Sequence, residues 1–427
     1  MVKSLRITDI DRIMIQVPFA ERSGPWTSLL APLWGVIEVI RVATDDPDIV
    51  GFGETLVHYT WARVTEESIA RVRGRNPAEC WADDSLGAGL QMAIGDILGK
   101  ALGVPMHRLL SLPTVRDAVP ISWWCADLPP ETLALEAQEA VAAGYTSMKF
   151  KARPWFDVVD QVEAVSAVTP DTFKLDIDWN STLLNAGEAK QVLRRLDRYP
   201  RVGIYESPIP RDDVVGQRHL RERVNRPLAE HFSAKRFEQT IRLDAVDGFV
   251  VFGGGVAGLI CQAVQCGAVN KNFWLQVVGT GITTSFTMHL GAVMGHARWP
   301  AITAMNTYGD DLLTEPIRIE HGFAQLPQEP GLGIKVDESA VERYRLSEQG
   351  PPVAQRRLLH VDFGGGLVRE YADVNDMWRD AELDGRFPVQ AAGARLTVRQ
   401  DDGSSAFEHD FSAAQQGIVA SHVVRGE

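Results

Sequence analysis

The chain has 427 residues, 45% of them hydrophobic and 8% aromatic, a globular composition with room for two or three domains and a large core. A formal net charge of −13 and a pI near 5.3 exclude the basic surface that phosphate-backbone binding requires, and leave a small molecule as the better-matched partner. No run approaches the ~18 apolar residues of a membrane span, and the N-terminus lacks a signal-peptide core, so a cytoplasmic protein is expected.

In chain order, residues 5 to 60 read as strands broken by turns: "LRITDIDRIMIQV", "WGVIEVIRVATDD" and "IVGFGETL", the last with glycines read as a tight bend. Residues 62 to 111 place small and apolar residues at helical spacing until Gly103 and Pro105 stop them, so a helical cap follows a small antiparallel sheet. From about 118 the pattern alternates short apolar strands with amphipathic helices: "AVPISWW", "SMKFKA", "FKLDIDWN", "VGIYESP", "RPLAEHF", "AVDGFVVF" and "FWLQVVG". Repetition of this kind predicts a parallel sheet, and the number of units favours a closed α/β barrel with its chemistry at the C-terminal strand ends. Residues 347–427 read as a C-terminal extension of strands joined by Gly/Asp turns. Cys80, Cys125, Cys261 and Cys266 have no CxxC spacing and read as ordinary thiols, neither zinc cage nor disulfide framework.

Three successive strands end in an acid: Asp178, Glu206 and Glu230, spaced 28 and 24 residues apart. In a parallel barrel this phase sets three carboxylates side by side at one rim, where they repel unless a cation lies among them. Oxygen ligands without cysteine point to Mg²⁺. One unit earlier, "TSMKFKAR" carries Lys149 and Lys151 two apart on a strand, hence on one face and pointing into the barrel mouth, with Phe150 packed outward. Two close ammoniums in a partly desolvated site oppose each other's charge, so one lysine is expected to have a lowered pKa and act as a base while the other stays a cation.

These motifs resemble the enolase superfamily, in its mandelate racemase and muconate lactonizing enzyme branch. The likeness runs over residues 5 to 346: "AIGDILGKALGVP", "MKFK", "IDWN", "YESP", "PLAEH" and "LPQEPGLGIKVDE" appear in the family's order. It implies an N-terminal α+β capping domain over 1–117, a TIM-like barrel over 118–320, a return segment to the cap over 321–346, and the β-rich extension beyond. It also implies Lys151 as the base, Lys149 as its partner on the substrate carboxylate, and Asp178, Glu206 and Glu230 as Mg²⁺ ligands. A homo-oligomer is expected by the same likeness.

The family's usual second acid/base is not found: the sixth-strand position falls on Phe249, with Phe252 nearby, and "LQVVGTGITT" offers no histidine. A racemase or epimerase inverting through two bases is therefore disfavoured against a one-base elimination of water from a hydroxy or sugar acid. A cycloisomerase and a non-catalytic carboxylate-binding barrel are the other readings. His231 is read as the acid for the leaving group or as a histidine behind the metal, and Asp176 as a deeper alternative ligand. Asn180, Trp123, Arg22 and Thr280 are read as substrate contacts or supports. The loops "PFAERSGPW" and "ETLVHYTW", with Glu21, Trp26, His58 and Trp61, are expected to close over the mouth, and Trp123 and Trp124 to join an aromatic wall.

Overall fold

The computed structural model describes residues 5–59, 63–346, 356–382 and 387–416; Trp61 lies outside them. The cap sheet is antiparallel, in the order β1 (Ile7–Gln16), β2 (Val36–Thr44), β3 (Gly51–Leu56), with α1 (Gly24–Leu30) in the first connection. The helices α2 (Glu66–Val72) and α3 (Ala88–Leu102) follow, α3 ending at Gly103 in the left-handed conformation. Gly51 and Gly53 do not make the bend expected of them. They lie within β3, where an added Cβ would stand 2.2 Å from the Ala93 carbonyl oxygen and 2.0 Å from that of Gly89, so they let α3 lie directly on the strand.

Eight parallel strands then alternate with helices. They are β4 (Ala118–Cys125), α4 (Pro130–Ala142), β5 (Ser147–Lys151), α5 (Val158–Val168), β6 (Lys174–Asp178), α6 (Ala186–Leu196), β7 (Val202–Glu206) and α7 (Val214–Arg221). The series continues through β8 (Leu228–His231), α8 (Phe237–Arg242), β9 (Gly248–Phe252), α9 (Val256–Ala268), β10 (Asn272–Gln276), α10 (Gly281–Val293) and β11 (Ala301–Ile302). The strands pair in sequence order and β11 returns to β4, closing the barrel. Both faces of such strands are buried, and their side chains divide accordingly. Phe150, Ile177, Tyr205 and Phe249 pack outward with the helices, while Trp124, Ile204, Val250 and Trp274 fill the interior and continue into Ile37 and Val39 of the cap.

A hairpin of β12 (Ile319–Glu320) and β13 (Phe323–Gln325) adds antiparallel to β4, and α11 (Glu338–Arg343) lies beyond it. Residues after the hairpin run along the cap: Leu332 N donates to Asp96 Oδ1 at 2.9 Å, and the Tyr344 carbonyl accepts from Gln16 N at 2.9 Å. Across the cap–barrel boundary, the buried Glu54 carboxylate accepts from Thr280 N and Oγ1, each at 2.7 Å, and from Thr283 N at 2.8 Å.

The C-terminal extension holds three antiparallel strands, β14 (Arg357–Asp362), β15 (Val368–Tyr371) and β16 (Arg395–Gln400), in the order β15-β14-β16. It is not built of strands alone. α12 (Val374–Glu382) and α13 (Ser405–Gln415) cover the sheet, so parts of the stretch 347–427 expected to be strands are helical, with Ser404 Oγ capping Phe407 N at 3.0 Å at the start of α13. Its core encloses Trp155 and Phe156, both with no solvent exposure, together with Leu29 of α1. Asp157 N donates to the Ala394 carbonyl at 3.1 Å, and Gly393 N to Asp157 Oδ2 at 3.0 Å. Trp155→Ala is expected to cost about 3–5 kcal/mol, because the buried indole leaves a cavity between two parts of the fold. Its check is the midpoint of chemical denaturation, which should fall by the corresponding amount.

Candidate active site at the barrel mouth

Parallel pairing sets residues in register on the same face, and Lys151, Asp178 and Glu206 are consecutive partners across β5, β6 and β7. Lys151 Nζ donates to Asp178 Oδ2 at 2.5 Å and to Asn180 Oδ1 at 3.0 Å, and it opens onto the cavity. Lys149 is one layer deeper with no exposure. Its ammonium pairs with Glu206 and Asp178, donates to Gln276 Oε1 at 2.7 Å, and lies 5.1 Å from the centre of the Trp274 ring. The expectation that Lys149 reaches a substrate carboxylate is therefore corrected: it is sealed beneath the two acids and balances their charge.

The two lysines are electrostatically unlike. Burial opposes the Lys149 charge, but Glu206 and Asp178 outweigh it and raise the pKa. Burial also opposes the Lys151 charge, and the neighbouring cations Lys149 and Arg153 add to it against the pull of Asp178, so its pKa falls below the ordinary lysine value. Burial alone would raise the Asp178 pKa, but Lys151, Lys149 and Arg153 hold it well below the usual carboxylate range. Glu206 is pushed up to about 7 by burial and by Asp178.

Glu230 does not stand beside these acids. β8 is offset so that Glu206 pairs with Ala229, which puts Ala229 and His231 inward and Glu230, level with Phe249, outward. Ser207 Oγ donates to Glu230 Oε1 at 2.7 Å, Gln217 Nε2 to Oε2 at 3.2 Å, and Arg211 Nε lies 3.6 Å away. His231 instead opens onto the cavity, with Nε2 3.8 Å from Glu206 Oε1 and Nδ1 3.3 Å from Ser207 Oγ. Burial, with Arg211, lowers its pKa to about 4, so the ring is neutral near pH 7 and suited to ligation rather than to giving up a proton.

Among the described residues no preformed group of three or more His, Cys, Asp or Glu ligands stands ready for a metal, since the lysines hold the carboxylates. The donor set nevertheless fits a hard divalent ion. Glu206 Oε1 is buried without a hydrogen-bond partner, faces the His231 nitrogen, and stands beside ionised Asp178. Asp178, Glu206 and His231 would hold the ion, in place of the expected trio with Glu230.

Asn180 N donates to Asp178 Oδ1 at 2.8 Å and its Oδ1 accepts from Arg153 Nη2 at 2.6 Å. Asn180, Ser181 and Ser207 carry φ of 44°, 75° and 43°, left-handed conformations gathered just past the ends of β6 and β7. The other supporting residues lie elsewhere. Trp123 points outward, its indole donating to Glu136 Oε2 at 3.0 Å, because Trp124 is the residue in register with Lys149. Arg22 lies outside the barrel, 3.2 Å from Glu136. Thr280 is committed to Glu54 rather than to the cavity. Phe249 packs outward on Phe232 and Phe237, and Phe252 is the residue that faces the site, edge-on to His231 at 4.7 Å.

The structure also brings in residues the sequence reading missed. Gln276, inward with Trp274 by two-residue alternation, donates through Nε2 to the Tyr59 hydroxyl at 2.6 Å. Tyr59 is held against Trp34 at 4.8 Å, and Trp34 stacks on Trp124 at 4.7 Å and 15°. Asp127, 3.5 Å from Arg153, and Arg211 complete the charged lining.

Fold and site together define a capped (β/α)₈ barrel with paired lysines and acids at its C-terminal rim. Residues 132–340 match the family described as enolase C-terminal domain-like. The chain is 28% identical over 289 residues to o-succinylbenzoate synthase of Bacillus subtilis, covering 65% of this chain and 73% of that protein. It is 26% identical over 294 residues to D-gluconate dehydratase of Thermoproteus tenax, covering 63% and 58%. The solved muconate cycloisomerase from Pseudomonas fluorescens superposes with a TM-score of 0.66 at 21% identity, over 80% of this chain and 99% of that one. The family match over residues 132–340 and the relatives found are those of the enolase superfamily, whose mandelate racemase and muconate lactonizing enzyme branch this chain resembles. Its curated relatives are enzymes, and members of the superfamily generally use Mg²⁺.

Proposed function

We propose that this chain is a Mg²⁺-dependent lyase that removes the proton α to a carboxylate and eliminates water from a hydroxy acid. The observation that carries this reading is one-sidedness. Lys151 is a lysine of lowered pKa at the cavity floor, while the inward positions of β9 and β10 are Val250, Phe252, Trp274 and Gln276, none of which moves a proton. Inversion needs a proton carrier on each face of the substrate; elimination needs one base and an acid for the leaving group.

Lys151 takes the α-proton, with Asp178 and Asn180 fixing its ammonium once formed. Asp178, Glu206 and His231 would hold Mg²⁺, which when bound supplies Lewis-acid stabilisation of the charge developing on the substrate carboxylate. Lys149 stays charged beneath them. Tyr59 supplies the acid. Lys149 donates to Gln276 Oε1, so the Gln276 amide turns its N–H toward Tyr59; the phenol oxygen accepts, and its own proton is left to point into the cavity. The hydroxyl on the β-carbon takes that proton and departs as water while the Cα–H electron pair forms the Cα–Cβ double bond, and the enol left at Cα becomes a 2-oxo acid.

The test is incubation with Mg²⁺ and a panel of 2,3-dihydroxy acids, which lose the C2 proton and the C3 hydroxyl, in D₂O, followed by NMR. The expected result is a 2-oxo acid product. Exchange of α-deuterium with no loss of water would instead indicate a racemase or epimerase, and tight binding with neither change a carboxylate-binding barrel. In Tyr59→Phe, dehydration is expected to fall about 10²–10⁴-fold while α-exchange by Lys151 persists. Equal loss of both would remove Tyr59 from the acid role.

A further inference from the structure

The extension is more than an appendage behind the barrel. The cavity encloses about 880 Å³, and one side of it is made by α12, which contributes Trp378 and Glu382 to the lining. The Arg153 guanidinium lies 4.6 Å from the centre of the Trp378 ring, and Trp155 meets that ring edge-on at 5.0 Å and 87°. Arg153 is itself fixed by the Ala152 and Asp178 carbonyls, each at 2.9 Å, and by Asn180. The catalytic strand therefore runs straight on, through Arg153 and Trp155, into the surface that seats the extension.

Besides its charged residues, the lining holds Leu30, Ala31, Trp34, Leu184, Pro210 and Trp378. Hydroxyl groups laid against these side chains would give up water and gain no hydrogen-bond partner. An apolar ring there would lose nothing of that kind and would gain contact with two indoles. The volume also exceeds what a short polyol acid fills and falls within the range of sites for larger ligands.

We infer that the C-terminal extension is part of the substrate site, and that Trp378 selects carboxylic acids bearing a ring-sized apolar group at the end remote from the carboxylate. This rests on the reading above for the carboxylate end alone. Trp378 is here a specificity residue and takes no part in proton transfer. Glu382 lines the same cavity, and the charges of Arg153 and Arg211 act on its carboxylate against the effect of burial.

The test is calorimetric titration of the full chain in Mg²⁺ with 3-phenyllactate and with gluconate, two acids that share a 2-hydroxycarboxylate head. Unaltered protein is expected to bind phenyllactate at least about tenfold more tightly than gluconate. Trp378→Ala should weaken phenyllactate about tenfold and gluconate by less than about twofold, with Trp378→Phe restoring most of the loss. Leu184→Asn, a change its φ of 61° accommodates, should shift the preference the same way without touching the extension, so an unstable Trp378 variant does not end the test. Preference for gluconate, equal weakening of both acids, or binding of neither would overturn the inference. Selective binding of phenyllactate with no α-exchange on it, and no loss of water from any 2,3-dihydroxy acid, would remove the lyase reading and leave this one standing. Turnover of polyol acids indifferent to Trp378 would do the reverse.

Discussion

Lys151→Met is expected to leave the barrel folded and to lower α-proton exchange on any accepted acid by about 10²–10⁴-fold, the usual share of a positioned general base. Methionine matches the stem of lysine and deletes the ammonium that Asp178 and Asn180 hold. The pH profile should carry the same signature. Lys151 must be neutral to accept a proton, and its pKa lies below the ordinary lysine value, so the rate should rise with pH through that lowered pKa and flatten above it. Full turnover in the variant, or a profile with no basic-side rise, would assign the base elsewhere.

The second large effect concerns the third metal ligand. Glu206→Gln and His231→Ala should each weaken Mg²⁺ binding by more than about 100-fold, whereas Glu230→Gln should cost only about tenfold, as a group that orients a ligand from behind. Glu230 earns the smaller figure because Ser207 and Gln217 already occupy its oxygens, while Glu206 Oε1 is without a donor. Titration calorimetry of Mg²⁺ without substrate reads this independently of any reaction. A Glu230→Gln variant as defective as Glu206→Gln would restore the ligand set expected from the sequence.

That reversal shows where the sequence was readable and where it was not. Alternating strands and helices announced a parallel barrel, and the lysines two apart announced a shared inward face, because both depend on local periodicity alone. Glu230 falls on the other face from Glu206 because β8 is displaced by one step against β7, and a one-residue shift exchanges the faces of every side chain. A signal was present: Glu230 shares parity with Leu228 and Phe232, the large apolar residues that pack under the helices. The same argument separates Trp123 from Trp124, and Phe249 from Phe252. For Tyr59 the sequence pointed only to its loop, and for Trp378 to nothing. They reach the cavity from the cap loop and from α12, and nothing in the barrel's periodicity says which distant side chains will arrive there. The last helix of the extension follows a run of Asp and Gly that equally suits a turn between strands, and its own local signal is the Ser404 cap.

The seating of the extension on Trp155 and Phe156 bears on how the molecule is made. A chain emerging from the ribosome folds its earlier parts first. The barrel would therefore be complete while these two aromatics, later devoid of exposure, still awaited β14 and α12, which begin about two hundred residues further along the sequence. During that interval the strand carrying Lys151 ends in a bare apolar ledge, open to self-association. A segment synthesised later thus covers a surface that the nascent chain cannot safely leave uncovered, and in the same act finishes the wall of its cavity.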